Sequence, residues 1–376
     1  MNNTFQVLMQ EATRLTRAGQ LAQATQVIQR AMAGDKATVA PSKPTDTVQR
    51  IAPDVLDGCV REVDVSAEPE VMDRAELAEQ PLPTGLAPEE RSAAASFVEG
   101  EFVHAMQRHR YKLFTPRHSV SAGLLPLVVM LHGCTQDPDD FAVGTGMNEA
   151  AQGASGFYVL YPSQPRNVNA QGCWNWFDRA HQQRGQGEPA WIAELTQHVT
   201  RTQGIDARRV YVAGLSAGGA MAAVVGSAYP DVFAAVGVHS GLPVGAASNL
   251  TQALTAMKRG ASISSPNQPT SLPTIVFHGD QDRTVHAVNG QAVVAAATAH
   301  SDCAVLAETG QSEMGRKFTR TSHSNASRVQ AEHWQLHGGT HAWSGGSAQG
   351  SYTDPRGVDA TREMLRFFWL HQLGSR

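Results

Sequence analysis

The chain has 376 residues, a formal net charge of -4, 17% charged and 41% hydrophobic residues, and four cysteines. That is the balance of an ordinary soluble globular protein, with no basic stripe or phosphate loop for nucleic acid, no zinc-type cysteine spacing, and no apolar run near the ~18 residues of a membrane span. Neither a nucleic acid nor a membrane is therefore an expected partner, and four cysteines are too few for a disulfide scaffold.

At the N-terminus, Phe5, Leu8, Met9, Ala12 and Leu15 repeat at helical spacing, Gly19 interrupts, and Leu21, Ala24, Val27, Ile28 and Ala31 resume the repeat. The pattern predicts a helical hairpin over 1–33, which resembles a single tetratricopeptide unit. One such unit cannot bury its apolar face alone, so it should pack on the rest of the chain, associate with itself or bind a protein partner. Residues 34–94 turn to Ala, Pro, Ser, Thr, Asp and Glu without periodicity and read as a flexible linker. Met1-Asn2-Asn3-Thr4-Phe5 lacks the basic start and apolar core of a secretory signal, so the expected location is cytoplasmic.

From 95 to 376 the pattern alternates between strands and helices, as expected of a doubly wound, mostly parallel sheet. Strands are predicted at 97–103 and 111–114 as an antiparallel pair, then at 127–131, 157–161, 209–213, 234–239, 274–277 and 329–336. Trp191, Ile192, Leu195 and Val199 mark an amphipathic helix, and a final helix is expected over 359–370.

Chemistry collects in the turns that follow these strands. The run Val210-Tyr211-Val212-Ala213 leads into Gly214-Leu215-Ser216-Ala217-Gly218 and then a small-residue stretch, the strand, sharp turn and helix of a nucleophile elbow. A serine hydroxyl is a weak nucleophile at neutral pH, so it must be pushed out of the backbone toward a base. Ser216 is the candidate. The loop His278-Gly279-Asp280-Gln281-Asp282 offers two acids; Asp282 is favoured as the partner of the base, and Asp280 is expected to cap the turn. Of the fifteen histidines, His341 lies in a Gly-rich loop after the last strand and is the expected base, with His337 as the alternative. Oxyanion donors are expected at the amides of Ala217, directly after the serine, and Cys134, in the turn His132-Gly133-Cys134-Thr135-Gln136 after an earlier strand. His132 reads as a buttress of that turn. Trp174 and Trp343 are expected to form an apolar wall for the acyl or aromatic part of an ester, with Gln136 and Asn175 supplying polar contacts, while Trp176 is expected to be packing.

The set Leu131-His132-Gly133-Cys134-Thr135-Gln136, Cys173-Trp174-Asn175-Trp176-Phe177, Gly-Leu-Ser-Ala-Gly-Gly, His278-Gly279-Asp280-Gln281-Asp282 and Thr340-His341-Ala342-Trp343 resembles the polyhydroxybutyrate (PHB) depolymerase family of esterases. The resemblance covers residues near 95 to 376. It implies an α/β-hydrolase fold, ester hydrolysis through an acyl-enzyme, and neither metal nor dissociable cofactor. It also implies relatives acting on bacterial polyesters, on feruloyl or acetyl esters of plant polysaccharides, and on aromatic polyesters. In the family a pair resembling Cys134 and Cys173 is bridged, which would clamp the oxyanion turn to the Trp174 loop; composition alone reads these cysteines as reduced thiols. Family likeness gives an extracellular location as the alternative to the cytoplasmic one. The expected function is a serine esterase of hydrophobic esters, most directly a polyester or oligoester depolymerase, with feruloyl or acetyl xylan esterase as the alternative. A non-catalytic ester- or glycan-binding protein on the same fold is the reading from another class.

Overall fold

The computed structural model describes residue 27 and residues 95–117, 123–153, 156–261, 272–326 and 328–374. The hairpin expected over 1–33 and the linker over 34–94 therefore lie outside the described residues, apart from Val27, which is helical.

Twelve strands are described: β1 (Ser96–His104), β2 (Gln107–Thr115), β3 (Leu127–Leu131), β4 (Tyr158–Pro162), β5 (Val210–Leu215), β6 (Ala235–His239), β7 (Thr274–Gly279), β8 (Ala304–Gln311), β9 (Lys317–Ser324), β10 (Val329–Leu336), β11 (Trp343–Ser344) and β12 (Thr353–Asp354). Ten form one sheet in the order β1-β2-β4-β3-β5-β6-β7-β10-β9-β8. Strands β4, β3, β5, β6, β7 and β10 run parallel, while β1 and β2 at one edge and β9 and β8 at the other are antiparallel additions. The first antiparallel pair matches the sequence expectation. Strands β8 and β9 were not anticipated, because β8 is exposed along nearly its whole length and carries no buried alternation to read.

The central strands are apolar on both faces because helices cover both. Leu127, Val129 and Leu131 point into one layer with Trp191, Ile192, Leu195 and Val199 of α3 (Gly187–Thr202) and Met221 and Val225 of α4 (Ala217–Ala228). Val128 and Met130 point into the other, with Phe141 of α1 (Pro138–Thr145), Met147 of α2 (Met147–Ala151) and Met364, Phe367 and Phe368 of α7 (Ala360–Phe368). Between α4 and α7, α5 (Leu250–Arg259) and α6 (Val288–Thr298) follow β6 and β7. The terminal helix starts on an Asp359 side chain that accepts from the Arg362 amide. This is the α/β-hydrolase fold. Among the described residues no helix is long and apolar enough to cross a membrane.

Candidate active site

Parallel register brings every singled-out loop to one edge of the sheet. Leu131 is paired with Gly214, Leu215 with His239, His239 with Phe277, and Gly279 with Leu336. The turns after β3, β5, β7 and β10 therefore emerge side by side, where open α/β sheets hold their ligands.

Ser216 sits at φ 58°, ψ -118° between β5 and α4, a left-handed region that costs a non-glycine residue ~1–3 kcal/mol and persists only when its surroundings impose it. The imposition is visible in the flanking glycines. A Cβ at Gly218 would stand 1.9 Å from the Leu131 carbonyl oxygen, and one at Gly214 would stand 2.4 Å from the Gly218 carbonyl carbon. The Ser216 amide is held by the His239 carbonyl at 2.9 Å, and the Ser216 carbonyl accepts from the Ala220 amide.

Asp282 and His341 meet directly: His341 Nδ1 lies 2.7 Å from Asp282 Oδ2. The other carboxylate oxygen of Asp282 accepts from the amides of Thr284 and Val285 at 2.9 and 2.8 Å. Burial opposes the charge on Asp282, but hydrogen bonds from His278 and His341 and the His341 charge outweigh it and hold the carboxyl well below the usual carboxylate range. With Nδ1 donating to the carboxylate, His341 keeps Nε2 as an acceptor. The structure links His341 to Asp282 and makes no hydrogen bond between His341 and Ser216.

Asp280 departs from its expected role. Instead of capping its own turn it reaches across to the Gly338 amide at 2.7 Å and His337 Nδ1 at 3.1 Å, while Asp282 caps the turn and also contacts His341. His337 is occupied on its other nitrogen by the Thr319 hydroxyl. His239 is fully buried, accepts from the Ser344 amide, and is lowered to about 3, first by burial and then by its neighbours His278 and His341.

On the other side of the serine, the turn after β3 carries His132, Gly133 and Cys134. A Cβ on Gly133 would lie 3.7 Å from that of Ser216, so this turn overhangs the serine. Neither the Cys134 nor the Ala217 amide donates within the chain among the described residues. Cys134 is bridged to Cys173, 39 residues away in sequence.

The four residues expected to contact substrate do not line the site. Trp174 and Trp343 are 0% and 1% exposed; their indole N–H groups donate inward, to the His132 carbonyl at 3.0 Å and the Thr361 hydroxyl at 3.1 Å. Gln136 is buried and spans Gly133, Asp140 and Ser351. Asn175 is bound to Glu188 and Asn169. Trp174 and Gln136 satisfy backbone groups of the turn after β3, while Trp343 and Asn175 are held by side chains. Trp176 is packing, as expected. Glu188 escaped sequence reading: a carboxylate ahead of the apolar run Pro189-Ala190-Trp191-Ile192 looks like a helix-start acid, yet it is 3% exposed. Among the described residues no group of three or more His, Cys, Asp or Glu side chains is placed to hold a metal ion.

Comparison with known proteins gives consistent matches. A family model described as esterase PHB depolymerase matches residues 109–307. Poly(3-hydroxyalkanoate) depolymerase C of Paucimonas lemoignei is 37% identical over 177 residues, which is 44% of this chain and 42% of that protein. Probable acetylxylan esterase A of Aspergillus flavus is 29% identical over 181 residues, 43% of this chain and 58% of that protein. The chain thus spans only about two to three fifths of the length of these two curated relatives. Among solved structures, an acetyl xylan esterase from Aspergillus awamori superposes with a TM-score of 0.55 at 20% identity, covering 70% of this chain and 94% of that one, a likeness of fold.

Proposed function

The chain belongs to the PHB depolymerase family of esterases, and on that premise we propose that residues 95–376 form a serine esterase that cleaves hydrophobic carboxylic esters through an acyl-enzyme. The observation that carries the reading is the 2.7 Å contact between His341 and Asp282, presented on the same sheet edge as a serine held at positive φ.

In the proposed reaction His341 Nε2 takes the Ser216 proton as Oγ attacks the ester carbonyl. The amides of Cys134 and Ala217 stabilise the oxyanion, each such donor being worth ~100- to 1,000-fold in rate. Asp282 keeps the imidazole in the tautomer that needs Nε2 as acceptor, and stabilises the imidazolium that follows. The tetrahedral intermediate collapses, the alcohol leaves with the proton from His341, and water repeats the sequence on the acyl-serine to release the acid.

The substrate class we favour is a polyester or oligoester, in line with the depolymerase relative. An acetylated or feruloylated polysaccharide is the second reading, supported by the acetylxylan esterase match and the similarity of fold. With Trp174 and Trp343 inside the protein, the acyl pocket is formed by other residues. The Cys134–Cys173 bridge counts against the cytoplasmic expectation, since disulfides persist in oxidising compartments, and we favour an extracellular location.

The test is hydrolysis of short p-nitrophenyl esters, hydroxybutyrate oligomers, methyl ferulate and acetylated xylan by the purified chain and by Ser216→Ala. The expected result is turnover that falls more than ~10,000-fold in the variant with the fold intact. Substantial turnover by Ser216→Ala would overturn the assignment.

A further inference from the structure

Behind the turn that carries the Cys134 amide stands Glu188, an acid that the proposed reaction does not use. It is 3% exposed, and three N–H groups donate to its carboxylate. The Asn175 amide approaches one oxygen at 2.7 Å, Asn175 Nδ2 approaches the other at 2.6 Å, and Gln164 Nε2 shares that second oxygen. His181 Nδ1, which accepts from the Glu188 amide, is the one titratable neighbour, 3.7 Å from the carboxylate. Taking a carboxylate out of water costs several kcal/mol unless such donors surround it, so an acid retained here holds something in place.

Two routes run from it to one peptide plane. Gln164 Nε2, anchored on Glu188, also donates to the Cys173 carbonyl at 3.1 Å, and Cys173 is bonded to Cys134. The Gln164 amide donates to His132 Nε2 at 3.2 Å. That makes Nε2 an acceptor, so Nδ1 carries the proton and donates to the Gly133 carbonyl at 2.9 Å. The Gly133 carbonyl and the Cys134 N–H belong to the same peptide unit and point in opposite directions because the unit is planar and trans. Fixing the carbonyl toward His132 therefore fixes the N–H away from it. Trp174 Nε1 on the His132 carbonyl and Gln136 Oε1 on the Gly133 amide hold both ends of the preceding peptide unit.

We propose that Glu188 is a positioning residue for the oxyanion turn: through Gln164, Asn175 and the Cys134–Cys173 bridge its carboxylate sets the direction of the Cys134 N–H. The inference rests on the reading of Cys134 as an oxyanion donor. A glutamine at 188 has the same shape but turns one N–H toward donors, so it breaks the arrangement without emptying the space.

The experiment compares wild type, Glu188→Gln, Asn175→Ala and Ser216→Ala on p-nitrophenyl butyrate, with inhibition by phenylboronic acid, whose tetrahedral serine adduct places an oxygen where the oxyanion forms. A misdirected donor lowers kcat of Glu188→Gln by about 10- to 100-fold, leaves KM within about two-fold, and weakens phenylboronic acid by a comparable factor. Asn175→Ala, on a partly exposed loop, shows a smaller loss of the same kind, and it decides the matter if Glu188→Gln does not fold. A folded variant with wild-type kcat, or one that loses kcat and melting temperature while keeping its affinity for phenylboronic acid, overturns the proposal. Turnover retained by Ser216→Ala would instead sink the underlying serine reading, so the two failures are distinct.

Discussion

Asp280 and Asp282 are two residues apart in one loop and differ in what they hold. Asp282 is buried with His341 on one oxygen and two backbone amides on the other, whereas Asp280 pins Gly338 and His337 at the mouth of the neighbouring loop. Asp282→Asn removes the charge that stabilises the imidazolium and favours the wrong tautomer, so kcat/KM should fall by about 10,000-fold. Asp280→Asn keeps an acceptor for the Gly338 amide and should lower kcat/KM by less than about ten-fold. Rates of the two variants on one ester, measured side by side, check the assignment; comparable losses would mean that the acid was misidentified. The strained turn at Ser216 and the Asp282–His341 contact were legible in the sequence because a serine between glycines after a strand, and an acid and a histidine in later turns, leave a readable pattern. Trp174, Trp343, Gln136 and Asn175 were misread for a physical reason. Proximity in sequence to a site residue says nothing about which way a side chain points: Trp174, Trp343 and Gln136 are buried, and Asn175 is engaged by Glu188 and Asn169.

At the level of elements, the turns after β5 and β3 interlock through backbone atoms, and the Cys134–Cys173 bridge adds a covalent link. A bond that closes a loop with a sequence separation of 39 residues restricts the unfolded chain, an effect of about 4 kcal/mol in the chain-entropy description. Replacing Cys134 and Cys173 together by serine should lower the unfolding free energy by ~2–4 kcal/mol, measured by urea titration. It should also reduce kcat more than it raises KM, since the turn is freed beside the serine. An unchanged kcat would show that hydrogen bonds alone hold the turn. Strands β3 to β7 were legible because each is a short apolar run ending in a turn signal, and β10, with polar residues inside it, because it ends in the Gly-rich loop before His341. Strands β8 and β9 were not, because Ala304–Gln311 is exposed and pairs only through its backbone. The segments expected before residue 95 fall outside what the structure describes.

Across the molecule, folding fixes histidines in their neutral form. Burial lowers His239 to about 3 and, with His278 and His323 adding to it, lowers His333 to about 4. In the unfolded chain both titrate near ~6.5. Since the folded values are depressed, unfolding takes up protons between about pH 6.5 and pH 4, and stability must fall as pH falls through that window. Two such groups give a slope of about 2–3 kcal/mol per pH unit at its steepest. Asp282 acts in the same direction at lower pH, because its depressed carboxyl stabilises the fold only while ionised. Thermal melts from pH 7 to pH 4 should show a steady decline. A flat profile would mean that these histidines are protonated in the native state. The overall architecture was legible at this scale, since five of the six parallel strands, covered on both faces, are short, largely apolar runs; which histidines the fold holds neutral was not, because that depends on contacts between distant strands.

The Cys134–Cys173 bridge has a consequence in time as well as in space. A newly made chain carries two thiols where the finished protein has one bond, and until they are oxidised the turn overhanging Ser216 lacks its covalent brace. On the proposed reaction, the chain would then emerge as a precursor with Ser216, Asp282 and His341 already present, and activity would begin in the first compartment able to accept two electrons from a pair of cysteines.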